Sequence, residues 1–121
     1  MTTKKEQKVR IIDANGKSLG RVASNAAREL IGKKSVKYDP AKFMPTDIKI
    51  INIGLIKFTG RNKMKNKQYK RFSGYPSGLK IKSLEQELKK SPSRVVTKAI
   101  WGMLPKNKLR KRFIKHVSFS V

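Results

Sequence analysis

Cysteine is absent from this 121-residue sequence, histidine occurs once, and carboxylates are few, with 7 Asp and Glu against 31 Lys and Arg. The lack of thiols excludes disulfides, cysteine–zinc sites and cysteine nucleophiles. One imidazole and seven scattered carboxylates supply neither a metal-ligand cluster nor an evident acid–base pair. We therefore predict that the protein has no metal and no cofactor, takes no small-molecule substrate and is not an enzyme.

Long apolar runs are missing as well. The longest candidate, residues 48–56, is interrupted by Lys49, Asn52 and Gly54 and is too short to cross a bilayer. Residues 1–8 carry charges with no apolar run after them, so we expect a polar N-terminal tail and no secretory signal. The length fits one domain, residues 1–121. We expect a soluble, cytoplasmic protein, with an organelle as the alternative location.

The positive charge is large and unevenly distributed. The formal net charge is +24. All seven carboxylates lie outside residues 48–84 and 88–121, and each of these stretches holds ten Lys or Arg. Self-repulsion on this scale disfavours a compact chain unless a polyanion supplies counter-charge. Nucleic acid offsets such a field best and an anionic membrane is the competing partner; we predict nucleic-acid binding and no membrane binding.

The apolar pattern predicts alternating strands and helices. Residues 9–12 have strand composition, and after a possible N-cap at Ser18 the apolar residues recur every three or four positions to Ile31. Residues 48–53 are typical of a buried strand, and residues 55–58 could form a further short one. Later come a capping box at residues 83–86, a helix from Pro92 to about residue 103, a basic helix over residues 106–115 and an edge strand over residues 117–121. This order predicts an α/β layered domain whose first crossover is parallel.

Residues 59–82, here named the basic arm, contain eight Lys or Arg and no carboxylate. Tyr69, Phe72 and Tyr75 lie among these cations at about every third residue. We interpret the segment as a long irregular arm whose cations hold phosphates and whose aromatics stack on bases. The alternative is a solvated loop or a β-hairpin whose aromatics only attach it to the body of the protein.

Three further features could carry chemistry, and each has a simpler interpretation. His116 precedes the last strand in a basic run, where a structural or RNA-contacting role is favoured over general-base work. Asp13 could be a catalytic carboxylate, but hydrogen bonding to its own turn or pairing with a cation is the favoured role. The turn at residues 15–21 resembles a phosphate-binding turn without matching a nucleotide-binding motif, so we expect Lys17 and Arg21 to contact an RNA backbone.

Three motifs in order resemble the ribosomal protein L13 family. Residues 12–23 read IDANGKSLGRVA, close to the family pattern D-A-x-G-x-x-L-G-R-L-A. The basic arm opens with TGRNK at residues 59–63, like the T-G-x-K arm of the family, and residues 101–106 read WGMLPK, like its G-M-L-P-K signature. Together the motifs span roughly residues 9–119.

The resemblance implies a three-layer α/β/α fold on a central four-stranded, mainly parallel sheet, and a non-enzymatic protein that binds large-subunit ribosomal RNA during early assembly, beside other ribosomal proteins. The chain departs from the family in the histidines missing from the arm, in Leu109-Arg110-Lys111 where L-G-R is common, and in ending at Val121 without a C-terminal extension. Histidine contacts of relatives are therefore not carried over, and we expect fewer contacts with neighbouring proteins.

We predict a structural, RNA-binding component of the large ribosomal subunit, held mainly by phosphate contacts. The alternatives are a free nucleic-acid-compacting or RNA-chaperone protein and, less favoured, an RNA-modifying enzyme that uses Asp13. The predicted RNA-binding residues are Lys17, Arg21, Lys33, Lys34, Arg61, Lys63, Lys65, Lys67, Tyr69, Lys70, Arg71, Phe72, Tyr75, Lys80, Lys82, Lys98, Lys106, Lys108, Arg110, Lys111, Arg112 and Lys115.

Overall fold

The structure is a computed structural model that describes residues 9–33, 36, 39–41, 45–59 and 63–120, except the side chains of residues 63 and 64. The predicted N-terminal tail, residues 1–8, lies outside the described residues. Eleven elements follow one another: β1 (Arg10–Asp13), α1 (Leu19–Leu30), β2 (Ile48–Ile51), a 3-10 helix (Ile53–Leu55), α2 (Lys63–Asn66), β3 (Gln68–Phe72), β4 (Leu79–Ser83), α3 (Leu84–Lys90), α4 (Pro92–Met103), α5 (Arg110–Ile114) and β5 (Val117–Phe119). Across these ranges, no helix is long and apolar enough to cross a membrane.

The main sheet has three parallel strands in the order β1–β2–β5. This confirms the mixed α/β class and the parallel first crossover, but for the described residues the prediction of four strands is wrong. Asn52, in the left-handed region at φ 58°, ends β2, and the chain then turns through the 3-10 helix. Residues 55–58 therefore do not join the sheet, and an isolated parallel bridge pairs Lys57 with Ser18, just before α1.

The two faces of this sheet differ in burial. Ile48 and Ile50 of β2 point into the core and are buried, whereas Lys49 between them is exposed. Its register partners Ile11 and Ser118 are exposed too, because residues directly opposite in a sheet share a face. In the part of the chain that the structure describes, the centre of this outer face is open, so the predicted third layer is not seen there.

Helices α1 and α4 build the core on the inner face. Val22, Ala23 and Leu30 of α1 are fully buried, and Val95 and Ile100 are among the buried residues of α4. These positions follow the three-and-four spacing of the sequence, so the predicted stripes are confirmed. Helix α4 is consequently fixed in position, and its opposite face is available for other contacts.

A capping box joins helix α3 to the strand before it, as predicted. The Ser83 Oγ accepts a hydrogen bond from the Gln86 backbone N–H at 3.4 Å, and the Gln86 side chain accepts one from the Ser83 N–H at 3.1 Å. Because Ser83 is also the last residue of β4, this cap fixes how the strand enters the helix. The Leu84 N–H donates to the Lys67 carbonyl at 2.9 Å, which closes the base of the two-stranded unit.

The basic arm is not a long irregular segment, and that prediction is wrong. After the short helix α2, strands β3 and β4 form an antiparallel hairpin with five residue pairs, from Gln68–Ser83 to Phe72–Leu79. The structure shows the β-hairpin of the alternative, but of the three aromatics only Tyr69 packs against the body, and Phe72 and Tyr75 are exposed. Residues 60–62 of the predicted arm lie outside the described residues.

Candidate nucleic-acid interface

The hairpin presents one strongly basic face. Tyr69 pairs with Lys82, and Arg71 pairs with Lys80. Residues directly opposite each other share a face of the sheet, and so do residues two apart along one strand, so these four side chains lie on the same face. This face turns toward α3 and α4, and a cleft of about 480 Å³ lies between the hairpin and the helices. We call it the hairpin cleft; it is lined by Tyr69, Lys70, Arg71, Lys80, Lys82, Glu87, Lys90, Arg94 and Lys98.

Tyr69 attaches the hairpin to α4. The Lys98 Nζ lies 4.5 Å from the centroid of its ring, and the Lys67 Nζ lies 5.8 Å away, both within the range of a cation–π contact. Burial raises the pKa of Tyr69, and the negative charge of Glu87 adds to the effect, so the hydroxyl is neutral at pH 7. With Lys98 over its ring, Tyr69 serves as a contact between the hairpin and the helix.

The charge of the cleft is almost entirely positive. Its lining has seven Lys or Arg and one carboxylate, an excess of six positive charges. The carboxylate, Glu87, is buried, and its Oε1 lies 3.8 Å from the Lys82 Nζ. A concave surface lined by charges of one sign focuses its field and concentrates counter-ions. The cleft is therefore suited to an anion with several charges.

A stripe along α4 leads from this cleft to a second basic surface. Arg94, Lys98 and Trp101 stand at positions i, i+4 and i+7 and so share one helix face. Arg94 and Trp101 are about 10 Å apart along the axis, at 1.5 Å per residue. Trp101 borders a shallow pocket, the tryptophan pocket, lined by Trp101, Lys106, Asn107, Lys108, Arg110 and Lys111.

Arg110 holds this second surface against α4. Its Nε donates a hydrogen bond to the Trp101 carbonyl at 2.8 Å, its Nη2 donates to the same oxygen, and its guanidinium lies 4.4 Å from the indole ring. The predicted basic helix over residues 106–115 is shorter than expected, because Asn107 accepts hydrogen bonds from the backbones of Leu109 and Arg110 in a turn. Helix α5 therefore begins only at Arg110.

The remaining predicted residues lie elsewhere. Arg21 lines one shallow groove and Lys33 lines another. Both grooves include Ser24 and Met103, and the Ser24 Oγ lies 3.1 Å from the Met103 Sδ. Met103 stands opposite the Arg94 stripe on α4, so these grooves face another direction. Seven more predicted residues are described and border neither the hairpin cleft nor the tryptophan pocket: Lys17, Lys65, Lys67, Phe72, Tyr75, Arg112 and Lys115. Lys34 and Arg61 lie outside the described residues, as does the side chain of Lys63.

The structure adds two cations that the sequence prediction missed, Lys90 and Arg94. Arg94 precedes Lys98 by four positions, on the side of α4 away from the buried Val95 and Val96, and this spacing could have revealed it. Lys90 ends α3, and only the packing of α3 beside the hairpin brings it to the cleft.

Asp13 and His116 have the local roles that the sequence favoured. The Asp13 Oδ1 accepts hydrogen bonds from the Asn15 backbone N–H at 2.9 Å and from the Asn52 side chain at 3.0 Å. Both bonds lower the pKa of this exposed carboxyl, and the bond from Asn15 has the larger effect. The His116 Nδ1 lies 2.7 Å from the Asp47 Oδ1 and so links β5 to the start of β2. Within the described ranges, no three His, Cys, Asp or Glu are placed to hold a metal ion.

Comparison with known proteins gives a consistent result. The family model described as Ribosomal protein L13 matches residues 7–119. A protein of Moorella thermoacetica named "Large ribosomal subunit protein uL13" is 43% identical over 110 residues, which are 91% of this chain and 76% of that protein. A protein of the same name from Syntrophotalea carbinolica is 46% identical over 99 residues, which are 82% of this chain and 69% of that protein. Another from Nitrosococcus oceani is 42% identical over 108 residues, which are 89% of this chain and 75% of that protein.

Proposed function

The chain belongs to the ribosomal protein L13 family, and from this premise we propose that it is a structural constituent of the large ribosomal subunit. In this role it binds large-subunit ribosomal RNA through phosphate contacts and supports early assembly of the subunit in the cytoplasm, beside other ribosomal proteins. Its relatives are named as ribosomal proteins, which are not enzymes, and the chain is not an enzyme either.

The hairpin cleft is the observation that supports RNA binding. Lys and Arg side chains hold phosphates without reading sequence, and they make up seven of the nine residues that line the cleft. The α4 stripe extends this surface past Trp101 to Lys106, Lys108 and Lys111. A polyanion that follows the stripe meets further cations beyond the cleft, so an RNA backbone fits better than a small anion.

The total charge supports early rather than late binding. A free chain of net charge +24 repels itself and gains stability when phosphates neutralise part of that charge. Any ligand that binds the folded state alone stabilises it by mass action. The protein is therefore expected to join its RNA soon after synthesis, when the RNA surface is still accessible.

The salt dependence of RNA binding tests the phosphate contacts. If about eight cations each neutralise one phosphate, the logarithm of the association constant falls with the logarithm of salt concentration at a slope of roughly −5.6 to −7.2. Filter binding of the full chain to transcribed large-subunit RNA, over a series of salt concentrations, measures this slope. Lys49→Gln on the open face of the sheet removes one charge that does not line the cleft and should leave the slope unchanged. A wild-type slope near zero would rule out binding through phosphates.

A further inference from the structure

The hairpin has a second face that is apolar and exposed. Phe72 pairs with Leu79, and Lys70 pairs with Ile81. These residues alternate along the strands with those of the basic face, so their four side chains lie together on the opposite face. Phe72 is 66% exposed, Leu79 53% and Ile81 48%. Phe72 and Leu79 oppose each other directly and Ile81 lies beside Leu79 on the same face, yet each of the three leaves about half of its surface or more in solvent.

The turn that closes the hairpin carries another exposed aromatic residue on a tight backbone. Tyr75 is 75% exposed, and its carbonyl accepts a hydrogen bond from the Gly78 N–H at 2.9 Å. A Cβ at Gly78 would lie 2.0 Å from the Ser73 Oγ and 2.9 Å from the Tyr75 carbonyl oxygen, so only glycine fits this approach. The turn thus places Tyr75 next to Phe72, which ends β3.

The charges around this apolar face identify its occupant. The ten residues of β3 and β4 contain no carboxylate and four cations, of which Lys70 lies on the apolar face and Arg71, Lys80 and Lys82 lie on the opposite, basic face. Lys70 starts on the apolar face and also borders the hairpin cleft, so it connects the two faces. The matching ligand has flat apolar surfaces joined to negative charges, which is the chemistry of an unpaired nucleotide. Paired bases are already stacked and offer no free ring face, whereas bases in loops and single strands do.

We propose that the apolar face of the hairpin, formed by Phe72, Leu79 and Ile81, binds unpaired bases of the same RNA whose phosphates lie in the hairpin cleft, with the Phe72 ring stacked on a base and Leu79 and Ile81 in apolar contact beside it. This rests on the RNA binding proposed above and adds the class of RNA recognised, a loop, bulge or single strand next to the cleft. An RNA strand that crosses the hairpin tip reaches both faces, with its phosphates toward α4 and its bases toward Phe72.

Two measurements on the full chain test stacking. Phe72→Ala should weaken binding to transcribed large-subunit RNA roughly 5- to 150-fold, the range for loss of one aromatic–base stack. The salt slope should stay as in the wild type, because no phosphate contact is removed. Phe72→Trp should retain affinity, and its added fluorescence should be quenched by a short single-stranded RNA but not by a duplex of the same sequence. Since Phe72 is largely exposed, thermal unfolding of both variants should match the wild type.

The outcomes separate this inference from the proposed function. Wild-type binding that shows no salt dependence contradicts the phosphate contacts themselves. Salt-dependent wild-type binding with full affinity retained in Phe72→Ala contradicts stacking alone. If that variant keeps its affinity for RNA but is lost from assembled large subunits, the apolar face contacts a neighbouring protein, and the inference is overturned.

Discussion

Reversing two charges on α4, in the variant Arg94→Glu/Lys98→Glu, is expected to weaken RNA binding about 100-fold at 0.1 M salt. Each phosphate contact contributes about 0.7 to 0.9 decades of affinity between 1 M and 0.1 M salt, so two lost contacts cost roughly 25- to 60-fold. The two new carboxylates repel phosphates and account for the remainder. The salt slope should decrease by roughly 1.4 to 1.8. Filter binding over a salt series measures both quantities.

A variant matched in charge provides the control. Lys49→Glu/Lys57→Glu also lowers the net charge by four, but Lys49 lies on the open face of the sheet and Lys57 near Ser18, and neither lines the hairpin cleft. It should bind RNA within a few-fold of the wild type. If both double variants weaken binding equally, the protein binds through its overall charge, and the cleft has no special role.

The substitution Ile100→Ala is expected to lower the free energy of unfolding by about 2 to 5 kcal/mol. Ile100 is fully buried between α4 and the body of the core, and truncation leaves a cavity that the surrounding helices fill only in part. Because a domain is stable by only about 5 to 15 kcal/mol, such a loss is a large fraction of the total. Thermal unfolding of the RNA-free protein, followed by circular dichroism, should show a midpoint lowered by roughly 8 to 20 °C.

Leu55→Ala is the control for this prediction, since Leu55 is more than half exposed and its truncation should change stability by about 0.5 kcal/mol or less. Equal effects of the two substitutions would contradict the packing of α4 against the core. The core also positions Arg94 and Lys98, because α4 carries both on its outer face.

Helices α1, α3 and α4 were predictable because their signals are local, whereas α2 was not predicted and α5 is shorter than predicted. Ser83 and Gln86 form their capping box within one turn, Pro92 marks a helix start by itself, and the apolar stripe of α1 depends only on spacing. Such features need no knowledge of distant residues. Their bounds therefore agree closely with the sequence pattern.

The further strand expected at residues 55–58 failed for the opposite reason. Its composition favours a strand, but a strand needs a partner, and the left-handed Asn52 turns the chain away from the sheet after β2. Nothing in the local sequence shows that Lys57 will form one bridge and no ladder.

The hairpin was obscured by its own charge. In an ordinary sheet the face turned toward the protein is apolar, but here Arg71, Lys80 and Lys82 face the helices because they line a cleft and not a core. The outward face, with Phe72 and Ile81, is the apolar one. Because the charged residues face the protein and the apolar residues face solvent, the sequence alone predicts an irregular basic segment when the positions of α3 and α4 are unknown.

The sequence could predict that cations would form the candidate site, but not which of them lie together in the hairpin cleft. Counting cations identified most of the hairpin cleft, yet Lys90 and Arg94 belong to it only because α3 and α4 pack beside the hairpin. Conversely, Arg21 and Lys33 are equally basic but border grooves on another side of α4. Tertiary packing decides which charges converge.

Sedimentation in a sucrose gradient tests most directly whether this chain is a large-subunit protein held by the hairpin cleft. The tagged wild-type protein should sediment with large ribosomal subunits, and Arg94→Glu/Lys98→Glu should move to the top of the gradient while Lys49→Glu/Lys57→Glu stays with the subunits. A wild-type protein that remained at the top, or that was spread over the nucleoid as a free nucleic-acid-compacting protein would be, would contradict the proposed function.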